Sequence, residues 1–122
     1  MNVLSMHGLI GAYSETGAEW LEELRLVLNK NVDYACHFIK KHFPGVTYSR
    51  PQGTYMLYLD LNEWCHAHQC ALDEIIHAGI GVGVIWQDGR PFHKPNTIRM
   101  NLALPFELLT EALDRLAKYV FV

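Results

Sequence analysis

Hydrophobic and polar residues alternate along residues 97–104, which is typical of a β-strand with one buried face. The apolar face consists of Ile98, Met100, Leu102 and Leu104. The opposite face carries Thr97, Arg99, Asn101 and Ala103. Because successive side chains point to opposite faces of a strand, the pattern predicts one core face and one face that presents a guanidinium and an amide.

An apolar repeat with spacings of three and four runs from about Ala12 to the stop at Pro44-Gly45, and it predicts one long amphipathic helix. Leu9, Ile10 and Ala12 are interpreted as the approach to a helix rather than as a strand. So long a helix either spans a second structural unit or a partner, or is a core helix with an exposed overhang. The repeat does not distinguish these two alternatives.

The rest of the chain predicts further strands and helices, with loops over 62–66 and 92–96 and a turn over 87–91. In chain order the elements are an edge strand over 46–49, an interior strand over 54–61, a helix over 69–78 closed by Gly79, a strand over 81–85 and a last helix from Pro105. The last helix is expected to bury Leu108, Leu109, Ala112, Leu113, Leu116 and Tyr119.

Burying each apolar face gives an α+β fold, a two-layer α/β sandwich in which a small mixed or antiparallel sheet carries a long N-terminal and a C-terminal helix. We expect the 122 residues to form a single domain. A net charge of −3 without a Lys/Arg cluster argues against nucleic acid as a partner, and no apolar run could span a membrane. Three cysteines without framework spacing predict reduced thiols in a cytoplasmic protein.

Arg99 is the residue with the clearest chemical role. A guanidinium held on a strand presents a planar fork of donors, which binds a carboxylate or phosphate bidentately. Our hypothesis is that Arg99 binds the carboxylate of a small substrate. Two plainer interpretations stay open: a structural ion pair with an Asp or Glu, and a side chain that faces solvent.

A second cluster of reactive residues lies at Cys65, His66, His68 and Cys70, which are possible zinc ligands. Because no second cluster completes a standard zinc site, we expect no metal here. A metal-dependent function is kept as the weaker alternative.

Three segments together resemble one enzyme family. Residues 12–31 resemble the long helix that opens the small domain of fold-type-I pyridoxal-phosphate (PLP) enzymes. Residues 51–60, with the sequence PQGTYMLYLD, resemble a strand of the cystathionine β-lyase-like (MalY/PatB) branch of the class I/II aminotransferases. Residues 98–101, with the sequence IRMN, resemble the carboxylate-binding arginine motif of that branch.

The resemblance implies the C-terminal small domain of a homodimeric PLP-dependent aminotransferase or C–S lyase. By similarity, Arg99 binds the α-carboxylate of an amino-acid substrate and Asn101 supports Arg99. A large N-terminal domain of such enzymes supplies the Schiff-base lysine and the phosphate cradle. The lysines of this chain, at positions 30, 40, 41, 94 and 118, lie in segments that do not match the Schiff-base motif. We therefore expect no catalytic or cofactor-binding residue here and no PLP bound to this chain alone.

The sequence departs from the family in the loop before the arginine strand. That loop usually carries glycines after its phenylalanine, whereas here Phe92 is followed by His93-Lys94-Pro95-Asn96. Our expectation is a fragment that is inactive alone and contributes the substrate-binding arginine to a longer enzyme. The alternative is a stand-alone amino-acid-binding or protein-interaction module that has lost the PLP chemistry. Transamination and β-elimination are not distinguished by these residues.

Overall fold

The structure is a computed structural model that describes residues 2–122. The helices are α1 (Val3–Ala12), α2 (Glu15–His42), α3 (Asn62–His68), α4 (Leu72–Gly81) and α5 (Phe106–Tyr119). The strands are β1 (Thr47–Ser49), β2 (Met56–Asp60), β3 (Gln87–Asp88) and β4 (Thr97–Asn101), and a 3₁₀ turn covers Arg90–Phe92. No helix among residues 2–122 combines the length and the apolar composition needed to cross a membrane.

The described strands form one antiparallel sheet in the order β1-β2-β4-β3. This confirms the α+β class, the edge position of the first strand and the interior position of the second. Arg99 of β4 lies opposite Tyr58 of β2 on one side and opposite Gln87 of β3 on the other. The backbone at Arg99 is therefore held by strands on both sides.

The chain divides after Lys30 into two compact units. The unit formed by residues 31–122 contains the hydrophobic core, whose fully buried members include Ile39, Phe43, Leu59 and Leu113. Residues 2–30 have no buried side chain, and the buried residues of α2 all lie from Asn31 onward. The predicted long helix is thus confirmed, and its first half is exposed. Whether all 122 residues act as a single domain stays a prediction.

Leu9, Ile10 and Ala12 are not in a strand, as predicted, but they belong to a helix of their own, α1, and the long helix begins only at Glu15. Ser14 caps α2, since its Oγ accepts the Gly17 N–H at 3.1 Å. A Cβ at Gly17 would lie 2.6 Å from the carbonyl oxygens of both Gly11 and Ala12. The end of α1 therefore approaches α2 at a glycine, a tertiary contact that the apolar repeat does not encode.

The predicted loop over 62–66 is also wrong, because α3 occupies these residues and buries Trp64 and Cys65. Gln69, with φ of 50°, ends α3 in the left-handed conformation. Gly79 does not close the next helix, which continues to Gly81. A Cβ at Gly79 would lie 2.7 Å from the Trp86 ring, so this glycine makes room for an indole and is not a helix stop.

Two further predictions are corrected by the structure. Residues 81–85 are not a strand, and the short strand β3 lies at Gln87–Asp88, inside the predicted turn. In α5 the predicted stripe is confirmed at Leu109, Leu113 and Leu116, but Leu108 and Tyr119 are exposed. The three buried residues are spaced by four and three positions, so they lie on one narrow face of α5.

Candidate functional site

The candidate site is centred on Arg99, whose guanidinium lies against two neighbouring aromatic rings. The Cζ atom of its guanidinium lies 4.0 Å from the centre of the Phe92 ring and 5.6 Å from that of Tyr58. The two rings meet edge to face, with their centres 6.2 Å apart and their planes at 88°. Tyr58 comes from the neighbouring strand and Phe92 from the 3₁₀ turn, so rings from two different elements contact the same cation.

The Arg99 side chain has no hydrogen bond and no ion pair with any residue in the described range 2–122. Its Nε is buried without a hydrogen-bond partner, although the residue as a whole is half-buried. The interpretation of Arg99 as a structural ion pair therefore has no support within this part of the chain. A cation that is partly desolvated and uncompensated favours an anion as its ligand.

A clamp of three charged residues fixes the 3₁₀ turn beside Arg99. The Arg90 guanidinium donates through Nη2 to Asp73 at 2.6 Å and through Nε to Asp88 at 2.9 Å. Asp73 belongs to α4 and Asp88 to β3, so Arg90 ties the turn to a helix and to the edge of the sheet. The hydrogen bonds from Arg90 lower the pKa values of both carboxyls below their usual range.

These lowered pKa values predict an acid sensitivity of folding. A carboxyl whose folded-state pKa is depressed stabilises the fold above its ordinary pKa of 3.8, and that stabilisation is lost as the pH falls through the lower, folded-state value. Because the three side chains are 32–57% exposed, solvent screens most of this effect, and we expect urea unfolding midpoints to fall only slightly less steeply below about pH 4 in Arg90→Gln than in the unmodified chain. Arg25→Gln, at an exposed arginine of α2, is the control. An identical acid limb in Arg90→Gln and in the unmodified chain would contradict this prediction.

The loop that follows Phe92 contains two left-handed residues, His93 with φ of 62° and Asn96 with φ of 51°. Asn and His enter this region more often than most residues, but both meet a steric cost there that glycine does not. This is the loop in which the family usually has glycine. The replacement of glycine in this loop is thus accommodated by a strained, left-handed backbone at His93. Lys94 binds Asp60 at 3.1 Å and holds the loop in place.

Replacing His93 by glycine is therefore expected to stabilise the chain by about 0.5–1 kcal/mol, because relief of the left-handed strain exceeds the entropy that glycine adds to the unfolded state. The measurement is the urea midpoint at constant slope. The matched control is Gln52→Gly at an exposed turn residue without positive φ, which is expected to destabilise. If both glycine variants lose stability equally, the strain at His93 is not real.

Asn101 is exposed, and its Oδ1 accepts the N–H of Ala103 at 2.8 Å. A supporting role toward Arg99 stays a prediction. A second asparagine, Asn31 of α2, was not predicted as a site residue and is fully buried. Its Nδ2 donates to the carbonyl oxygens of Leu102 at 2.8 Å and Leu104 at 2.9 Å, directly after β4. A lone amide in an apolar helical stripe was the available signal.

The segment from Cys65 to Cys70 does not present its four polar side chains together, since Cys65 points into the core and His66 is exposed. Burial, together with the neighbouring Cys70 thiol, raises the pKa of Cys65 to about 11. Among residues 2–122, no group of three or more His, Cys, Asp or Glu side chains is arranged to hold a metal ion. A cavity of about 350 Å³ lies between residues 83–86, the end of β4 and α5; Asn101 lines it and Arg99 does not.

Known proteins resemble this chain in sequence and in fold, although no protein-family model matches it. Protein MalY of Escherichia coli is 34% identical over 108 residues, which cover 85% of this chain and 26% of MalY. Cystathionine β-lyase PatB of Bacillus subtilis is 30% identical over 64 residues, which cover 52% of this chain and 16% of PatB. The chain is a homologue of the MalY/PatB enzymes.

The structure of the PLP-bound C–S lyase of Staphylococcus hominis agrees with this assignment. It matches 87% of this chain and 28% of its own length, with a TM-score of 0.74 at 25% identity. The fold of this chain is thus the small-domain fold of MalY/PatB-type PLP enzymes, and the predicted resemblance to that branch is confirmed. The chain spans about a quarter of the length of the curated relatives it matches.

Proposed function

We propose that this chain is the C-terminal small domain of a longer, MalY/PatB-type PLP-dependent enzyme, an aminotransferase or a cystathionine β-lyase-type C–S lyase. Within it, Arg99 binds the α-carboxylate of the amino-acid substrate. The observation that carries this proposal is a guanidinium on an interior strand, in contact with two aromatic rings and without an anion partner in residues 2–122. Such a group is matched in shape and charge to a carboxylate.

The part played by Arg99 is to bind and orient. The neighbouring strands fix the Cα of Arg99, and the rings limit the directions in which its guanidinium can turn. A carboxylate held by two parallel N–H donors has little freedom to rotate, so the rest of the amino acid is directed toward one place. Binding of this kind lowers the entropic part of the barrier of a reaction that other residues carry out.

The residues of this chain do not by themselves fit PLP. The lysines at 30, 40, 41, 94 and 118 are exposed. Lys94 pairs with Asp60, and the Lys118 ammonium lies 5.0 Å from the centre of the Tyr119 ring. None of these lysines lies in an enclosed site that would exclude water. We therefore assign no step of the cofactor's chemistry to this chain, and the proposed large domain supplies the cofactor site.

The exposed apolar side chains of residues 2–30 support a longer protein. They include Val3, Leu4, Ile10, Tyr13, Trp20 and Leu26, each at least half exposed. α1 contains no buried residue and is apolar along most of its length. Apolar surface of this extent is usually covered by protein. We propose that the large domain of the same enzyme covers this apolar surface. The complete enzyme would be a cytoplasmic homodimer that acts on an amino-acid substrate.

The first test of the proposal is PLP retention by the chain alone. After incubation with PLP and reduction with borohydride, mass spectrometry is expected to find no lysine modified in stoichiometric amount, because none is enclosed. The S. hominis C–S lyase, treated in parallel, is the positive control. Stoichiometric capture of PLP on one lysine of this chain would contradict the proposed division of labour.

The second test restores a complete enzyme. The segment of the S. hominis C–S lyase that this chain matches is replaced by residues 2–122, and β-elimination from L-cystathionine is measured. We expect PLP binding and measurable activity that depends on Arg99. Calorimetric titration of the chain alone with L-alanine is expected to show no saturable binding. Saturable binding that is lost in Arg99→Ala would instead favour a stand-alone amino-acid-binding module.

A further inference from the structure

Phe92 has a relation to Arg99 that neither the strand pattern nor the family resemblance assigned. Its ring is the nearer of the two aromatic neighbours, with its centre 4.0 Å from the guanidinium Cζ. This distance is that of a cation in face contact with the ring. Phe92 is nevertheless 45% exposed, so the core does not hold its ring in place. Its position must come from the turn that carries it.

The turn is held from several sides. Within it, the Phe92 N–H donates to the Gly89 carbonyl at 2.9 Å and the His93 N–H donates to the Arg90 carbonyl at 3.0 Å. The first residue of the turn, Arg90, binds two residues outside the turn, Asp73 of α4 and Asp88 of β3. At its start, the Gly89 N–H donates to the Thr97 carbonyl at 2.8 Å, which joins the turn to β4 itself. Phe92 therefore has a defined location relative to the strand that carries Arg99.

A long arginine side chain without a hydrogen bond loses its orientation easily, because it has several rotatable bonds. The Arg99 side chain lacks a hydrogen-bond partner among residues 2–122, and its Nε is enclosed. The contact with the Phe92 ring restricts the plane of the guanidinium, and Tyr58 limits it from a second direction. Orientation before binding reduces the entropy lost when a carboxylate arrives.

We propose that Phe92, presented by the turn that Arg90 clamps to Asp73 and Asp88, is a positioning residue for the Arg99 guanidinium. The proposal rests on the proposed function for its purpose, since the cation that it orients is the carboxylate-binding group. It assigns Phe92 no contact with the reacting atoms. The clamp, the ring and the cation form one arrangement in which a surface ion-pair network determines the geometry of a binding group.

The test uses the full chain without any ligand. The ¹⁵N–¹H NMR signal of the Arg99 Nε–Hε group is identified by its loss in Arg99→Lys. In the unmodified chain we expect a ring-current displacement of this signal and slow exchange of Hε with water. In Phe92→Leu we expect the displacement to vanish and Hε exchange to become about tenfold faster, as the loss of a cation–π contact allows. Phe92→Tyr is expected to preserve both features.

The matched control is Tyr119→Leu, which removes an exposed ring from another cation, Lys118, and should leave the Arg99 signal unchanged. Arg90→Lys provides a second variant that keeps the Phe92 ring and weakens the clamp, and it should reduce the displacement. An Arg99 signal that is the same in Phe92→Leu as in the unmodified chain would overturn the proposal. So would an equal loss in Phe92→Tyr and Phe92→Leu.

In the chimeric lyase, Phe92→Leu is expected to raise KM for L-cystathionine by more than it lowers kcat, and Phe92→Tyr is expected to restore KM. If KM stays unchanged in an active Phe92→Leu chimera, the positioning role is overturned. If the unmodified chimera is inactive, the proposed function has failed, and the ligand-free NMR comparison still decides whether Phe92 orients Arg99.

Discussion

Replacing Arg99 by alanine in the chimeric lyase is expected to lower kcat/KM by about a hundred- to a thousandfold, because the substrate loses both its charge partner and its orientation. Arg99→Lys is expected to recover little of this loss. A lysine ammonium keeps the charge but lacks the planar pair of donors, and it cannot make the same face contact with the Phe92 ring. The measurement is the steady-state rate with L-cystathionine.

The matched control is Arg50→Ala. Arg50 follows β1 at the far edge of the same sheet, pairs with Asp33 and is largely exposed. Its loss is expected to change kcat/KM by less than about twofold, since an exposed ion pair contributes little. Thermal unfolding of each chimera shows whether the protein is still folded. A folded Arg99→Ala chimera with undiminished kcat/KM would remove Arg99 from the substrate site.

Replacing Asn31 by alanine is expected to lower the free energy of unfolding by about 2–4 kcal/mol, which is the cost of one buried and one partly buried carbonyl left without donors. The Asn31 side chain is fully buried, and its amide bonds to Leu102 and Leu104 are 2.8 and 2.9 Å long. These two carbonyls lie in the connection from β4 to α5. Asn31 therefore stabilises the segment through which the arginine strand leaves the sheet.

Urea unfolding measures this prediction, with Asn29→Ala as the control on the same helix. Asn29 is exposed, and its replacement is expected to change stability by less than about 0.5 kcal/mol. Asn31→Asp keeps the size of the side chain but lacks the amide donors, so it should be as unstable as Asn31→Ala. If Asn31→Asp were as stable as the unmodified chain, the two amide bonds would not be the source of stability.

The predictions from sequence succeeded where a periodic pattern was long or regular. The alternation around Arg99, the apolar stripe of α2 beyond Asn31 and the stripe of α5 each placed an element correctly. They also identified Arg99 as the notable polar residue of its strand. The spacing of apolar residues along an element shows which of its faces is buried, so patterns of this kind can be identified from the sequence alone.

Features that depend on contacts distant in sequence were missed. α1 and α3 are short and lack a clear repeat, and α3 is held by the burial of Trp64 and Cys65 in the core. Strand β3 has two residues, too few for an alternation to be recognised. The Arg90 clamp joins residues 17 positions apart, and the amide bonds of Asn31 span more than 70. No window of neighbouring residues contains such information.

The most direct measurement of the central claim is a crystal structure of the chimeric lyase with L-alanine bound. The proposal predicts both carboxylate oxygens of the amino acid within about 3 Å of Arg99 guanidinium nitrogens, with the Phe92 ring still in contact with that group. A bound amino acid whose carboxylate is held by other residues, with Arg99 turned toward solvent or toward an acidic side chain, would contradict it.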